Sequence, residues 1–158
     1  MRSVIFDLDG TLADTSGDLI AAANMCFAQM GAPDLFDPQE DTGTALLGGR
    51  AMLALGFSRL GRVGDEATLS AHYPVFLEAY RYAIDVHTVL YPRAMDAVEK
   101  LKLQGYKVGI CTNKPEALAA LLLRRLGIFD AFGSLVGADT LVVRKPDPEP
   151  LFEAARRA

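Results

Sequence analysis

Cysteine is scarce in this sequence, and its scarcity excludes two kinds of site. Only Cys26 and Cys111 occur among the 158 residues. Two isolated cysteines supply neither a disulfide framework nor the paired spacing of a zinc site. This usage is typical of proteins of the reducing cytoplasm, which is the location we predict.

Excess positive charge and long apolar runs are also missing. The net charge is −4 and the pI is about 5.1, which argues against nucleic acid or an anionic membrane surface as a partner. No uninterrupted apolar run approaches the ~18 residues of a membrane span, and Asp7 and Asp9 interrupt any signal-peptide-like stretch near the N-terminus. With 51% hydrophobic and 23% charged residues, the chain predicts a globular protein with a real core. The choice between monomer and homodimer stays open.

The most informative segment that is present begins with the apolar run Val4–Phe6 and ends in two acids. Asp7 and Asp9 are spaced i, i+2, so on a strand they project to the same side. Paired carboxylates suit Mg²⁺, which prefers hard oxygen ligands. Gly10 permits a sharp turn, and Thr11 offers a hydroxyl and an N–H to an anion. The alternative is an ordinary strand ending in an acidic turn, which matching elements downstream disfavour.

Strand-like and helix-like segments alternate along the rest of the chain. The strand-like runs are Ser3–Leu8, Tyr106–Cys111 and Ser134–Gly137, and the helix-like segments between and after them are Pro92–Gln104, Pro115–Leu126 and a helix that starts near Asp147. Such alternation predicts an α/β fold with a parallel sheet and right-handed crossovers, a three-layer, Rossmann-like core.

A helical insertion interrupts this core directly after the first strand. Thr15–Met30 and Asp65–Ile84 have helical patterns, the second of them expected to kink or break at Pro74. We therefore predict a helical cap over residues 15–85 and a catalytic core formed by residues 1–14 and 86–158.

Three motifs in order resemble those of the haloacid dehalogenase superfamily: Asp7–Thr11 (DLDGT), Cys111–Lys114 (CTNK) and Lys145-Pro146. The segments Thr11–Thr15 (TLADT) and Arg144–Pro148 (RKPDP) look most like its phosphoglycolate phosphatase branch. The resemblance covers residues 3 to about 155, and its strength lies in the ordered set of motifs.

The resemblance implies a catalytic role for four side chains. Asp7 would be the nucleophile that accepts the phosphoryl group, and Asp9 would protonate the leaving oxygen and then activate water. The Thr112 hydroxyl would hold a phosphoryl oxygen, and Lys145 would neutralise the phosphate and Asp7. Asp7 and Asp9 would also bind Mg²⁺. Taken alone, Thr112 is more typical of a hydroxyl satisfying local backbone, and Lys145 of a solvated loop lysine.

Further residues are implied in substrate binding. Backbone N–H groups around Leu8 and Gly10, together with Thr11 and Asn113, would surround the phosphate. Arg50 follows two glycines in the cap, where it could contact a second anionic group of the substrate. A surface arginine at a helix start explains Arg50 equally well.

One departure from the family pattern concerns the metal. The family has a fourth motif, an acidic pair on a later strand, and no such pair follows Lys145 before Ala158. We therefore expect further acidic ligands beyond Ala158, a core that lacks its C-terminal part, and a truncated or partly observed chain whose own activity and Mg²⁺ affinity are low.

The function predicted from these features is a Mg²⁺-dependent phosphatase for a small phosphomonoester, with 2-phosphoglycolate as the first guess. Two alternatives remain: a sugar phosphomutase of the same fold, and a non-catalytic chain that binds phosphate or a partner through an incomplete metal site. Gly10-Thr11 favours hydrolysis over the mutase reaction.

Overall fold

A computed structural model describes residues 2–158 of the chain. The strands are β1 (Ser3–Phe6), β2 (Ala13–Asp14), β3 (Val89–Leu90), β4 (Lys107–Cys111) and β5 (Ser134–Val136). The helices are α1 (Ser16–Ala28), α2 (Thr42–Ala45), α3 (Gly49–Arg59), α4 (Glu66–Tyr82), α5 (Ala94–Leu103), α6 (Glu116–Arg125) and α7 (Glu149–Arg157). They divide into two compact units, one of residues 1–14 and 90–158 and the other of residues 15–89.

The first unit is built on a three-stranded parallel sheet in the order β1-β4-β5. Ser3 pairs with Lys107 and Phe6 with Ile110, while Cys111 pairs with Val136. In this register β1, β4 and β5 all end at the same edge of the sheet. The predicted α/β fold with a parallel sheet is confirmed.

Helices α5, α6 and α7 pack against this sheet because each has one apolar face. Val98 of α5, Leu122 of α6 and Ala154 of α7 are fully buried, and Ala154 packs with Cys111 and Val136. Leu151 and Phe152 of the same helix are about half exposed.

The regular secondary structure of the second unit is helical apart from Val89 of β3. Its core is aromatic: Phe27 contacts Phe36 and Phe57 edge to face, and Phe76 stacks with Tyr80. Glycines in α3 make room for these rings. A Cβ on Gly49 would lie 2.2 Å from the Phe76 ring, and one on Gly56 would lie 2.2 Å from the Phe27 ring.

The sequence patterns missed two features of this unit. Between residues 31 and 64 no strong pattern was recognised, and the structure forms α2 and α3 there. A kink or a break was expected at Pro74; this residue lies inside α4, which continues to Tyr82, so the helix is not broken there. A proline inside a helix removes one hydrogen bond, which packing of Phe76, Ala79 and Tyr80 can offset.

The short strands β2 and β3 also went unrecognised, because two residues are too few to show a pattern; they form a separate two-stranded sheet. No helix within residues 2–158 is long and apolar enough to cross a membrane.

Candidate active site

The end of β1 is a tight turn that begins with Asp7. The Leu8 N–H donates to Asp7 Oδ1 at 2.7 Å, and the carbonyl of Leu8 accepts hydrogen bonds from the N–H groups of Thr11, Leu12 and Ala13. Gly10 adopts a φ of 74°, a conformation that favours glycine. The turn leaves the Asp7 side chain 43% exposed at the edge of the sheet.

Lys145 reaches this carboxylate from the loop before α7. Its Nζ lies 2.9 Å from Asp7 Oδ2 and donates to the carbonyl of Cys111 at 3.0 Å. The lysine therefore links the end of β1 to the end of β4. Burial raises the pKa of the adjacent Cys111 thiol, which keeps it protonated and unreactive.

Thr112 and Asn113 follow β4 at the same edge. The Thr112 N–H donates to the carbonyl of Val136, which fixes the buried threonine against β5. Its Oγ1 accepts a hydrogen bond from the Lys114 N–H at 3.1 Å, which leaves the hydroxyl proton for another acceptor. Asn113 Nδ2 donates to the carbonyl of Lys145 at 3.1 Å, so the asparagine braces the loop that carries the lysine.

Lys114 is a member of this site to which the sequence analysis assigned no role. Its side chain is 4% exposed, and its Nζ lies 2.9 Å from Asp9 Oδ1. The signal that could have found it was its place in the second motif. Its pairing depends on the approach of β1 and β4, which the local pattern does not reveal.

The site therefore contains two aspartate–lysine pairs at neighbouring strand ends, Asp7 with Lys145 and Asp9 with Lys114. The four formal charges sum to zero. The carboxylates supply hard oxygen donors of the kind that Mg²⁺ prefers. Within residues 2–158 no group of three or more His, Cys, Asp or Glu residues is arranged to hold a metal. The donors present thus fit Mg²⁺ in kind, as the Asp7 carboxylate and an oxygen of Asp9 to be completed by water and substrate oxygens.

The backbone groups predicted to bind phosphate already have partners within the turn. The N–H of Leu8 donates to Asp7, that of Gly10 to Ala13 and that of Thr11 to Leu8. Phosphate binding by Leu8, Gly10 and Thr11 remains a prediction, and it requires these N–H groups to exchange or share their acceptors.

Arg50 belongs to the helical unit and is held there by its neighbours. Its Nη1 lies 2.7 Å from Glu66 Oε1, its Nη2 donates to Ser70 Oγ at 3.3 Å, and its guanidinium lies 4.9 Å from the Tyr73 ring centre. Its Nε is buried and has no hydrogen-bond partner. The role of Arg50 in substrate binding also remains a prediction.

Comparison with known proteins places this geometry in a family. The family model for hydrolases of the haloacid dehalogenase-like type matches residues 1–158. A phosphoglycolate phosphatase from Xanthomonas campestris pv. campestris is 39% identical over 156 residues, which cover 99% of this chain and 68% of that protein. A phosphoglycolate phosphatase from Cereibacter sphaeroides is 36% identical over 155 residues, covering 98% of this chain and 71% of the relative.

A solved structure shows the same fold. A crystal structure assigned to the haloacid dehalogenase-like hydrolases, from Bacteroides fragilis, superimposes with a TM-score of 0.79 at 25% identity, covering 99% of this chain and 73% of that one. Together with the family match over its whole length, this similarity establishes that the chain is a hydrolase of the haloacid dehalogenase-like family.

Proposed function

We propose that this chain carries the active-site machinery of a Mg²⁺-dependent phosphatase that hydrolyses a small phosphomonoester through an aspartyl-phosphate intermediate. The observation that carries the proposal is the approach of Lys145 Nζ to Asp7 Oδ2 at 2.9 Å, at an exposed sheet edge. A pair this exposed contributes little to stability, so its position at the converging strand ends is better explained by chemistry.

Asp7 is the proposed nucleophile. Its two oxygens are oriented by the Leu8 N–H and by Lys145, which fixes the carboxylate before any substrate arrives. Attack of one oxygen on phosphorus forms the aspartyl-phosphate and releases the substrate alcohol, which splits one difficult hydrolysis into two transfers. Lys145 offsets the negative charge that gathers where Asp7 and the phosphoryl group meet.

Asp9 and Thr112 complete the proposed reaction. Asp9 gives a proton to the departing oxygen in the first transfer and takes one from water in the second. Thr112 has its Oγ1 lone pair engaged by Lys114 and can donate its hydroxyl proton to a phosphoryl oxygen.

The charge of the site supports a role for Mg²⁺. Two carboxylates and two ammonium groups cancel, so the pairs alone offer a phosphate dianion no net attraction. Asp7 and Asp9 would hold the ion. When bound, Mg²⁺ supplies the positive charge that brings the phosphate and the Asp7 carboxylate together.

For the substrate, we propose 2-phosphoglycolate as the first candidate. Relatives that cover almost the whole chain are phosphoglycolate phosphatases. Its carboxylate is a second anionic group, which Arg50 in the helical unit has the charge and hydrogen-bond donors to bind.

The test measures release of inorganic phosphate from 2-phosphoglycolate and from p-nitrophenyl phosphate, with Mg²⁺ and with excess chelator. We expect turnover of both substrates only with Mg²⁺, at the low rate expected above for this chain. A sugar phosphomutase would instead move phosphate between positions of a sugar phosphate and release little of it. Binding of phosphate without turnover, for protein shown to be folded, would favour the non-catalytic alternative.

Added methanol tests for the covalent intermediate. If both substrates pass through one aspartyl-phosphate, the ratio of methyl phosphate to inorganic phosphate is the same for both. A ratio that depends on the substrate would contradict a common intermediate.

A further inference from the structure

Lys114 is the most deeply buried charged side chain near the proposed site, and the mechanism above gives it no part. A lysine with 4% of its side chain exposed is rare unless it is paired. Its partner is Asp9, at 2.9 Å. Removing one member of so buried a pair leaves a charge uncompensated, so the contact is a fixed part of the structure.

The backbone of Lys114 is held from two sides. Its N–H donates to Thr112 Oγ1 at 3.1 Å, and its carbonyl accepts the Ala138 N–H at 3.0 Å. These bonds attach the residue to the end of β4 and to the segment after β5. From this anchored position the side chain reaches Asp9, beyond the end of β1.

The two lysines of the site differ in exposure. Lys145 and its partner Asp7 are 28% and 43% exposed, within reach of a substrate. Lys114 and Asp9 are 4% and 15% exposed, so this ammonium has far less opportunity to contact a phosphate.

We propose that Lys114 is a positioning residue that acts through Asp9. It holds the Asp9 carboxylate in the orientation needed to pass a proton to the leaving oxygen. This inference rests on the proposed function, in which Asp9 is the proton donor.

The experiment uses the leaving group as the probe. p-Nitrophenolate departs without needing a proton, whereas the alkoxide of 2-phosphoglycolate needs one. Lys114→Met keeps the length of the side chain and removes the charge. We expect its kcat to fall at least about tenfold more for 2-phosphoglycolate than for p-nitrophenyl phosphate, as expected when general acid catalysis is impaired.

Two further variants accompany Lys114→Met. Lys114→Arg should recover part of the loss on 2-phosphoglycolate, and Lys100→Met on the exposed face of α5 is the control for loss of a lysine.

A double-mutant cycle decides whether the effect runs through Asp9. If it does, Lys114→Met in an Asp9→Asn background should lower kcat by less than about twofold, because the residue through which it acts is already disabled. If Lys114→Met does not fold, Lys114→Gln, which retains a donor, takes its place in the cycle.

Equal losses on both substrates, or a full further loss in the Asp9→Asn background, would overturn the inference and indicate direct phosphate contact or a purely structural role. In either case wild-type turnover with Mg²⁺ would leave the proposed function intact. A wild-type protein that is folded and turns over neither substrate would overturn both.

Discussion

The two compact units use charged residues in different ways. In the unit built on the sheet, Asp7 contacts Lys145 from a distant part of the chain, and both side chains are partly exposed. In the helical unit, Asp41 is almost fully buried and receives both ends of the Arg59 guanidinium at 2.7 Å. Because an exposed pair is worth little for stability and a buried, multiply hydrogen-bonded one is costly to break, the comparison separates a pair suited to reaction from one that holds structure.

Asp18 extends the contrast within the helical unit. This buried carboxylate near the start of α1 accepts hydrogen bonds from the N–H groups of His87 and Thr88 and from the Thr88 hydroxyl, all at 2.7–2.8 Å. The two ends of the helical segment, 69 and 70 residues apart in sequence, are thereby joined. The Asp18 carboxylate is thus buried and holds the helical unit together, whereas the Asp7 side chain is 43% exposed at the sheet edge.

The largest expected effect is on kcat, and it concerns the aspartates of the unit built on the sheet. Asp7→Asn should lower kcat by about 10⁴-fold or more, since the amide cannot form an acyl-phosphate. Asp9→Asn should lower it by ~10²–10⁴-fold, the range for loss of proton transfer. Asp7→Asn should unfold within about 1 kcal/mol of wild type in urea, as expected for a partly exposed pair. Asp9→Asn should lose more stability, because it removes the carboxylate that faces the buried Lys114 ammonium. Wild-type-like turnover by Asp7→Asn would contradict the covalent mechanism.

Asp18→Asn should lower stability, in contrast to the active-site variants, whose main loss is in kcat. An amide presents one acceptor oxygen where the carboxylate presents two, so at least one of these donors loses its hydrogen bond. We expect a loss of about 2 kcal/mol in the free energy of unfolding, measured by urea titration. Asp34→Asn removes the same charge from an exposed position and should change stability by less than about 0.5 kcal/mol. Equal effects of the two substitutions would show that the Asp18 hydrogen bonds contribute nothing specific.

A residue's role could be predicted from the sequence where a short segment around it determines that role. It could not be predicted where contacts with distant segments determine it. Asp7 and Lys145 were recognised because each belongs to a short motif that resembles the family pattern, and Asp7 also lies at the end of a predicted strand. Helix α3 was missed because Gly49 and Gly56 lower helix propensity, and their role is to admit Phe76 and Phe27 from other helices.

The pairing of Lys114 with Asp9 and of Arg59 with Asp41 was also beyond local reasoning. Both contacts join residues from separate segments of the chain, and the sequence of neither segment indicates which residue it contacts. The parallel arrangement of the main sheet could be predicted from the alternation of strands and helices, whereas individual buried contacts required the packed structure.

The pH dependence of stability sharpens the contrast further. Hydrogen bonds from Arg59 hold the pKa of Asp41 below its ordinary value. Ionised Asp41 therefore contributes stability that is fully present above its unfolded pKa of about 3.9 and is lost as pH falls through the lower folded pKa. We expect Asp41→Asn to be about 2 kcal/mol less stable than wild type at neutral pH. The difference should shrink as urea titrations are repeated below pH of about 4. A constant difference across that range would show that Asp41 does not titrate with unfolding.

The smallest expected effect concerns Arg50. Its contacts have features both of the pair suited to reaction, at Asp7, and of the pair that holds structure, at Asp41. Its pair with Glu66 is partly exposed, as at Asp7, yet it also lies over Tyr73 and belongs to the helical unit. If Arg50 binds a second anionic group, Arg50→Ala should raise KM for 2-phosphoglycolate by about tenfold, the worth of a charge-assisted hydrogen bond. The KM for p-nitrophenyl phosphate, which lacks that group, should hardly change.

The control for Arg50→Ala is Arg62→Ala, which removes the same charge from an exposed position of the same unit, where the guanidinium lies 5.4 Å from the Phe57 ring centre. Glu66→Gln tests the pair from the other side. If Glu66 competes with substrate for the guanidinium, weakening the pair should lower KM for 2-phosphoglycolate. A pair that only stabilises the helices would instead give lower stability and an unchanged KM. If Arg50→Ala raises KM equally for both substrates, or for neither, Arg50 belongs with Asp18 and Asp41 among the residues that hold the helical unit together.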